Sequence, residues 1–230
     1  MTSTAAPTIT RIPLSSIDVE WTAVDGEDGP AAPDLTAQAE TRADGSVVLR
    51  LWNLHCLCAG DAEALAAFCA GQTFARVHVT ECTLSPAFAS ALADVAAGAV
   101  YLTDVRCGSG GSGADADAEG GCEPLLMLAS ARAKWGELHM TGCLTVCDAS
   151  ATALGTFVRA CAGGLSSLSV VVTSNECNVP RTRRWVAAVR DVFVLSGGRN
   201  VMVFCVVRHG QIAAVWNDGG GGGGGGVTTG

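Results

Sequence analysis

The residues of this chain that could do chemistry are few in kind: four histidines, one tyrosine, eleven cysteines and a run of arginines. His78, Tyr101 and His139 could move protons if they stood together, because imidazole titrates near neutrality. No motif fixes a carboxylate or nucleophile beside them, and GxSxG, Walker and HExxH patterns do not occur. His55, Cys56 and Cys58 form HCLC, and Cys143 and Cys147 form CLTVC. Neither has the paired CxxC spacing of a structural zinc site. A reactive thiol needs an exposed, electropositive setting, for which Cys177 near Arg181 and Arg183 is the candidate. Arg181, Arg183, Arg184 and Arg190 read as an ordinary amphipathic surface helix that exposes Arg and buries Trp185, Val189 and Val192, with a docking patch for an acidic partner as the alternative.

Positioning such groups requires a core, and composition supplies one. Of 230 residues, 49% are apolar and 16% charged, enough to bury a single domain. A net charge of -8 and a pI near 4.9 argue against direct nucleic-acid binding, which needs clustered Lys and Arg against phosphate. The amino terminus has no basic start followed by an apolar run, and no stretch of about 18 apolar residues could span a bilayer. A soluble cytoplasmic protein without membrane contact is expected, its cysteines free and mostly buried. Lys134 is the sole lysine, and Ala and Gly abound. This is the coding bias of a GC-rich genome, similar to that of orphan proteins of large DNA viruses.

The chain alternates two patterns. Period-two runs such as VVLRLWNL, ARVHVTEC and WGELHMTGC read as strands, and each is followed by apolar residues at helical spacing. Ser85 with Pro86 punctuates one helix start, and Pro124 and Pro180 mark two others. NVMVFCVV and QIAAVWN read as a closing hairpin across His209 and Gly210. Residues 1–45 read as an amino-terminal capping segment with an acidic, solvated loop, 46–217 as the repeating domain with a Gly/Ser/Asp insert at 108–121, and 218–230 as a disordered glycine-rich tail.

Aligned on their first buried residue, the strands begin at Leu49, Val77, Val100, Leu138, Leu168 and Val201, followed two positions on by Leu51, Val79, Leu102, Met140, Val170 and Val203. Five positions on come Leu54, Cys82, Val105, Cys143, Thr173 and Val206. Over residues 46–207 this resembles leucine-rich repeats of the ribonuclease-inhibitor type, whose strands read L-x-L-x-x-[N/C] and are each followed by a helix. The resemblance implies an α/β fold: a short leucine-rich-repeat-like solenoid of β-α units, with a parallel sheet on the concave face and helices outside. In such proteins similar repeats accompany an F-box, and the first 45 residues contain none.

If those positions point inward, the alternating ones share the opposite face. One column then runs Arg50, His78, Tyr101, His139, Ser169, Met202, and its neighbour Trp52, Thr80, Thr103, Thr141, Val171, Phe204. Thr ladders pair well across strands for stability alone, whereas aromatic and Arg residues are enriched where partners anchor. The expectation is a non-enzymatic module binding a protein partner through Arg50, Trp52, His78, Thr80, Tyr101, Thr103, His139 and Thr141, with no cofactor. The alternative is an enzyme or metal-binding protein on an irregular α/β sheet using the His, Tyr and Cys residues.

Overall fold

Alternation of buried and more exposed side chains through the second halves of β3, β4, β6 and β8 organises the chain. The computed structural model describes residues 7–14, 36–54, 57–108, 121–132, 134–161, 164–174, 184–189, 191, 200–207 and 211–217. Their elements run β1 (Thr8–Arg11), β2 (Thr36–Thr41), β3 (Val47–Trp52), α1 (Ala59–Cys69), β4 (Thr73–Thr80), β5 (Thr83–Leu84), α2 (Pro86–Ala93), β6 (Ala96–Thr103) and β7 (Arg106–Cys107). They continue with α3 (Glu123–Ser130), β8 (Trp135–Thr141), α4 (Asp148–Ala160), β9 (Ser167–Ser174), a helical stretch at 184–189, β10 (Asn200–Val207) and β11 (Gln211–Asn217). Most of the acidic loop, most of the 108–121 insert and the glycine tail lie outside the described residues, as do His55, Cys56, Cys177, Arg181, Arg183 and Arg190.

The fold is mixed α/β around a mostly parallel sheet. Among the described residues nine strands pair in the order β1-β2-β3-β4-β6-β8-β9-β10-β11, and β5 pairs with β7 in a second, two-stranded sheet. From β3 to β10 every pairing is parallel, and a helix intervenes before each next strand because a parallel neighbour needs a crossover. The carboxyl-terminal hairpin expected from NVMVFCVV and QIAAVWN forms as the antiparallel β10–β11 pair. At the other edge the structure corrects the sequence reading. Thr36–Thr41, expected in the solvated loop, is strand β2, antiparallel to β1 and β3, with Ala37 and Ala39 buried in the core. Alanine has weak strand propensity, so pairing with β1 and β3 makes this segment a strand.

Leu49, Val77, Val100, Leu138 and Leu168, with Leu51, Val79, Leu102, Met140 and Val170, are at most 1% exposed and form one core with the helices. Leu65, Phe88, Leu92, Leu125, Leu126, Leu154, Phe157, Trp185 and Val189 all join that same core, so the helices cover one face of the sheet. Successive helices also pack on each other, α1 on α2, α2 on α3 and α3 on α4. Helix starts follow local chemistry: Ser85 Oγ accepts the Phe88 N–H at 3.2 Å and caps α2. The thiol of Cys147 caps α4 by accepting the Ser150 N–H at 3.4 Å.

The strand ends repeat in detail. The residue after each strand takes a positive φ at Asn53 (56°), Glu81 (53°), Asp104 (50°) and Gly142 (68°). Each N–H donates to the carbonyl of the next strand, at Thr80, Thr103, Thr141 and Val171, over 3.0, 2.8, 2.8 and 3.1 Å. The left-handed turn then aims the following residue inward, which is why Leu54, Cys82, Val105 and Cys143 are all buried. Near the strand starts a second repeat holds Ala75, Gly98, Gly136 and Ser166 in a column of close backbone contacts. A Cβ at Gly98 would lie 2.9 Å from the Ala75 carbonyl oxygen and one at Gly136 2.7 Å from that of Gly98, while Ser166 N–H donates to Gly136 O at 2.6 Å. Sequence reading passed over this column; its signal was the small residue two places before Val77, Val100, Leu138 and Leu168.

Candidate functional site

Parallel sheets normally bury both faces, and here the described helices cover only one. The other face carries the columns expected from the alternation. Register places Arg11, Gln38, Arg50, His78, Tyr101, His139, Ser169 and Met202 directly opposite one another in succession. The adjacent row is Thr36, Trp52, Thr80, Thr103, Thr141, Val171 and Phe204.

Within the first row the three rings form a stack. His78 and Tyr101 lie 4.6 Å apart between ring centroids at 9°, and Tyr101 and His139 lie 4.5 Å apart at 4°. Strand spacing of about 4.8 Å explains the contact, since rings standing in register on adjacent strands can meet face to face. Tyr101 lies between the two imidazoles, one on each ring face. All three rings are half-buried, Thr80 and Thr103 likewise, whereas Thr141 is exposed and Trp52 is 50% exposed. The eight residues singled out from sequence thus lie on one face, in two adjoining rows.

Charge brackets the stack at both ends. Arg50 Nε donates to Glu40 Oε2 at 3.3 Å, and Arg42 Nε lies 3.7 Å from the same carboxylate. Arg76 stands two residues before His78, exposed on the same face. At the other end Glu137 Oε2 is 3.4 Å from His139 Nε2. Sequence reading missed Arg76 and Glu137, although both obey the two-residue alternation, and it missed Glu40 because that segment read as loop.

Burial, then the charges of Arg50, Arg76 and Arg42, hold His78 below its ordinary value of 6.5. The sign follows from linkage. Between the two values the unfolded chain binds a proton that the folded chain rejects, so stability is whole above pH 6.5 and is lost as pH falls through the lower, folded value. Thermal melts from about pH 7.5 to about pH 5 should therefore lose less stability in His78→Gln than in the natural chain. Equal losses in the two proteins would show that His78 does not set this dependence.

Cys82, Cys107, Cys122, Cys143 and Cys161 are buried. Cys82 and Cys143, at equivalent positions, donate their thiols to Thr80 O and Thr141 O, each at 3.2 Å. Desolvation pushes Cys69, Cys82 and Cys161 up to about 11, so they stand as thiols. Cys122, fully buried, is raised by hydrogen bonds with the side chains of Cys107 and Cys143, which are lowered by the same bonds. Cys58 is exposed. Among the described residues no three His, Cys, Asp or Glu side chains gather to hold a metal ion. Of the arginine run, Arg184 is exposed while Trp185 and Val189 are buried, and Trp185 Nε1 donates to the buried Ser150 Oγ at 2.8 Å. Among the described residues no helix is long and apolar enough to cross a membrane.

Compared with protein-family models, with curated proteins and with solved structures, the chain finds no match in any of the three.

Proposed function

We propose that the β-α units form a short solenoid of the leucine-rich-repeat kind, and that its uncovered sheet face binds a protein partner without catalysing a reaction. The recurrent positive-φ turns with their repeated hydrogen bonds support the repeat reading. The observation that carries the binding reading is the His78, Tyr101, His139 stack on the face the helices leave open. Three ordered rings beside an exposed Trp52 offer contact area whose side-chain entropy is already spent, which is what an interface anchor requires. A solvated face would be served by the threonine row alone.

The alternative of an enzyme draws on the Glu137–His139 pair, a carboxylate beside an imidazole. It lacks a nucleophile held against that imidazole among the described contacts.

The binding reading is tested by affinity capture from the native source with the natural chain and with a His78→Ala, Tyr101→Ala, His139→Ala variant. Loss of anchor residues worth about 2 kcal/mol or more should weaken a direct partner roughly 30-fold, with the far-ultraviolet circular dichroism unchanged. Recovery of the same partners in the same yield by the folded variant would refute the assignment.

A further inference from the structure

The uncovered face is electrically lopsided. At the β1–β4 end, Arg42 and Arg50 share a single carboxylate, Glu40, Arg76 stands exposed two strands away in the row of Glu40 and Val48, and Arg11 continues the Arg50 row across Gln38. Among the described residues Arg76 makes no ion pair, and Arg50 and Arg42 share one acid between them. This concentration of positive charge stands in a chain of net charge -8. Burial lowers the proton affinity of His78 most, and the charges of Arg50, Arg76 and Arg42 add to that lowering. Screening over about 8 Å at physiological ionic strength means a docking group there responds to these arginines more than to distant acids. Trp52, on the same strand as Arg50 and one row over, adds an exposed apolar ring to the basic patch.

We infer that this end of the face recognises an acidic segment of a protein partner, one whose carboxylates pair with Arg76 and Arg50 and whose large apolar side chain rests on Trp52. The inference rests on the reading of this face as a protein-binding surface and assigns its partner's chemistry. Glu40 is the internal precedent, since on this face a carboxylate already bridges two guanidiniums. Arginine's fixed fork of donors suits carboxylates, and opposite charge guides orientation and exclusion of wrong partners. The Glu137 end repels the same segment, so an acidic peptide is held in one direction along the row.

The test is selection from a random peptide library displayed on phage, with the full chain as bait, followed by fluorescence anisotropy on the selected peptides. Peptides rich in Asp and Glu with a large apolar residue are expected. Their affinity should fall with added salt and drop at least tenfold in Arg76→Glu, with Arg76→Gln intermediate and both variants melting like the natural chain. Peptides that are neutral or basic, or acidic ones indifferent to Arg76→Glu, overturn the inference. If such peptides are nevertheless lost in the triple ring variant, the protein-binding reading of the face stands and only the acidic partner falls. If no selected peptide depends on the rings, both fall. Tighter binding of phosphoserine counterparts, or of an RNA oligonucleotide, overturns the carboxylate assignment. Capture of acidic peptides only after the acids between residues 15 and 35 are converted to amides assigns the patch to the chain's own segment, and overturns a separate partner.

Discussion

Phe157→Ala should be among the most destabilising single substitutions in this chain, costing about 3–5 kcal/mol. Phe157 is fully buried in the last turn of α4, where its ring meets Trp135 at 5.8 Å and 47°. Trp135 in turn opens β8 and donates its indole N–H to Val95 O at 3.1 Å, tying β8 to the turn before β6. Truncating Phe157 removes the transfer energy of the ring and leaves a cavity that Trp135 cannot fill while that hydrogen bond holds it. For a domain of this size the midpoint of thermal unfolding should fall by roughly 6–20 °C. Calorimetry decides it, and a drop under about 2 °C would show that α4 collapses onto the sheet and that the Trp135 contact is not structural. Because His139 lies four residues along the same strand, peptide or partner binding should weaken with stability in this variant and recover on cooling.

The second large effect belongs to the backbone column. Gly136→Val should prevent β8 from pairing properly with β6, because its Cβ would stand 2.7 Å from the Gly98 carbonyl oxygen. A flexible side chain could yield at that distance; a carbonyl inside a parallel sheet cannot move without displacing its strand. Overpacking in a rigid setting costs about 1–3 kcal/mol, and added loss of β6–β8 pairing should carry this variant beyond that range. Reduced melting temperature together with loss of hydrogen-exchange protection in β6 and β8 is the expected readout. Ala75→Gly, at the start of the same column, relieves no collision and should cost no more than about 1 kcal/mol. Equal stability of Gly136→Val and the natural chain would mean that the close backbone approach is not maintained in solution.

Much of the sheet was legible because its evidence is local. Strand residues that alternate, and helices whose apolar positions recur every three to four residues, announce themselves over ten residues of sequence. That is enough to separate Leu49, Leu51, Val77 and Val79 from Arg50, Trp52, His78 and Thr80. Strand β2 was hidden because TAQAET has neither β-branched alternation nor apolar bulk; it pairs because β3 offers it a partner. Losing β2 meant losing Glu40, and with it the recognition that Arg50 is shared with a carboxylate. Glu137 and Arg76 were lost differently, since they sit on the right parity but one row from the aligned positions. The cysteines were legible as core at positions 82 and 143, where the repeat demanded a small buried residue, whereas the Cys107, Cys122 and Cys143 contact spans the insert and no spacing in the chain announces it.

What the sequence by itself determined is which side chains share a face, because the two-residue period of a strand is a property of the local backbone. It also determined the inward column that ends at Leu54, Cys82, Val105 and Cys143, since each strand carries the same spacing. What only the tertiary structure decided is contact across the strands. The repeat alignment already placed His78, Tyr101 and His139 in one column over separations of 23 and 38 residues, but nothing in it says that their rings stack or which charges flank them. The register is set by helices packing side by side on one core and by left-handed turns hydrogen-bonding from strand to strand. Those contacts bring the rings to 4.5–4.6 Å and set Arg50 of β3 and Arg42, just past the end of β2, against one glutamate.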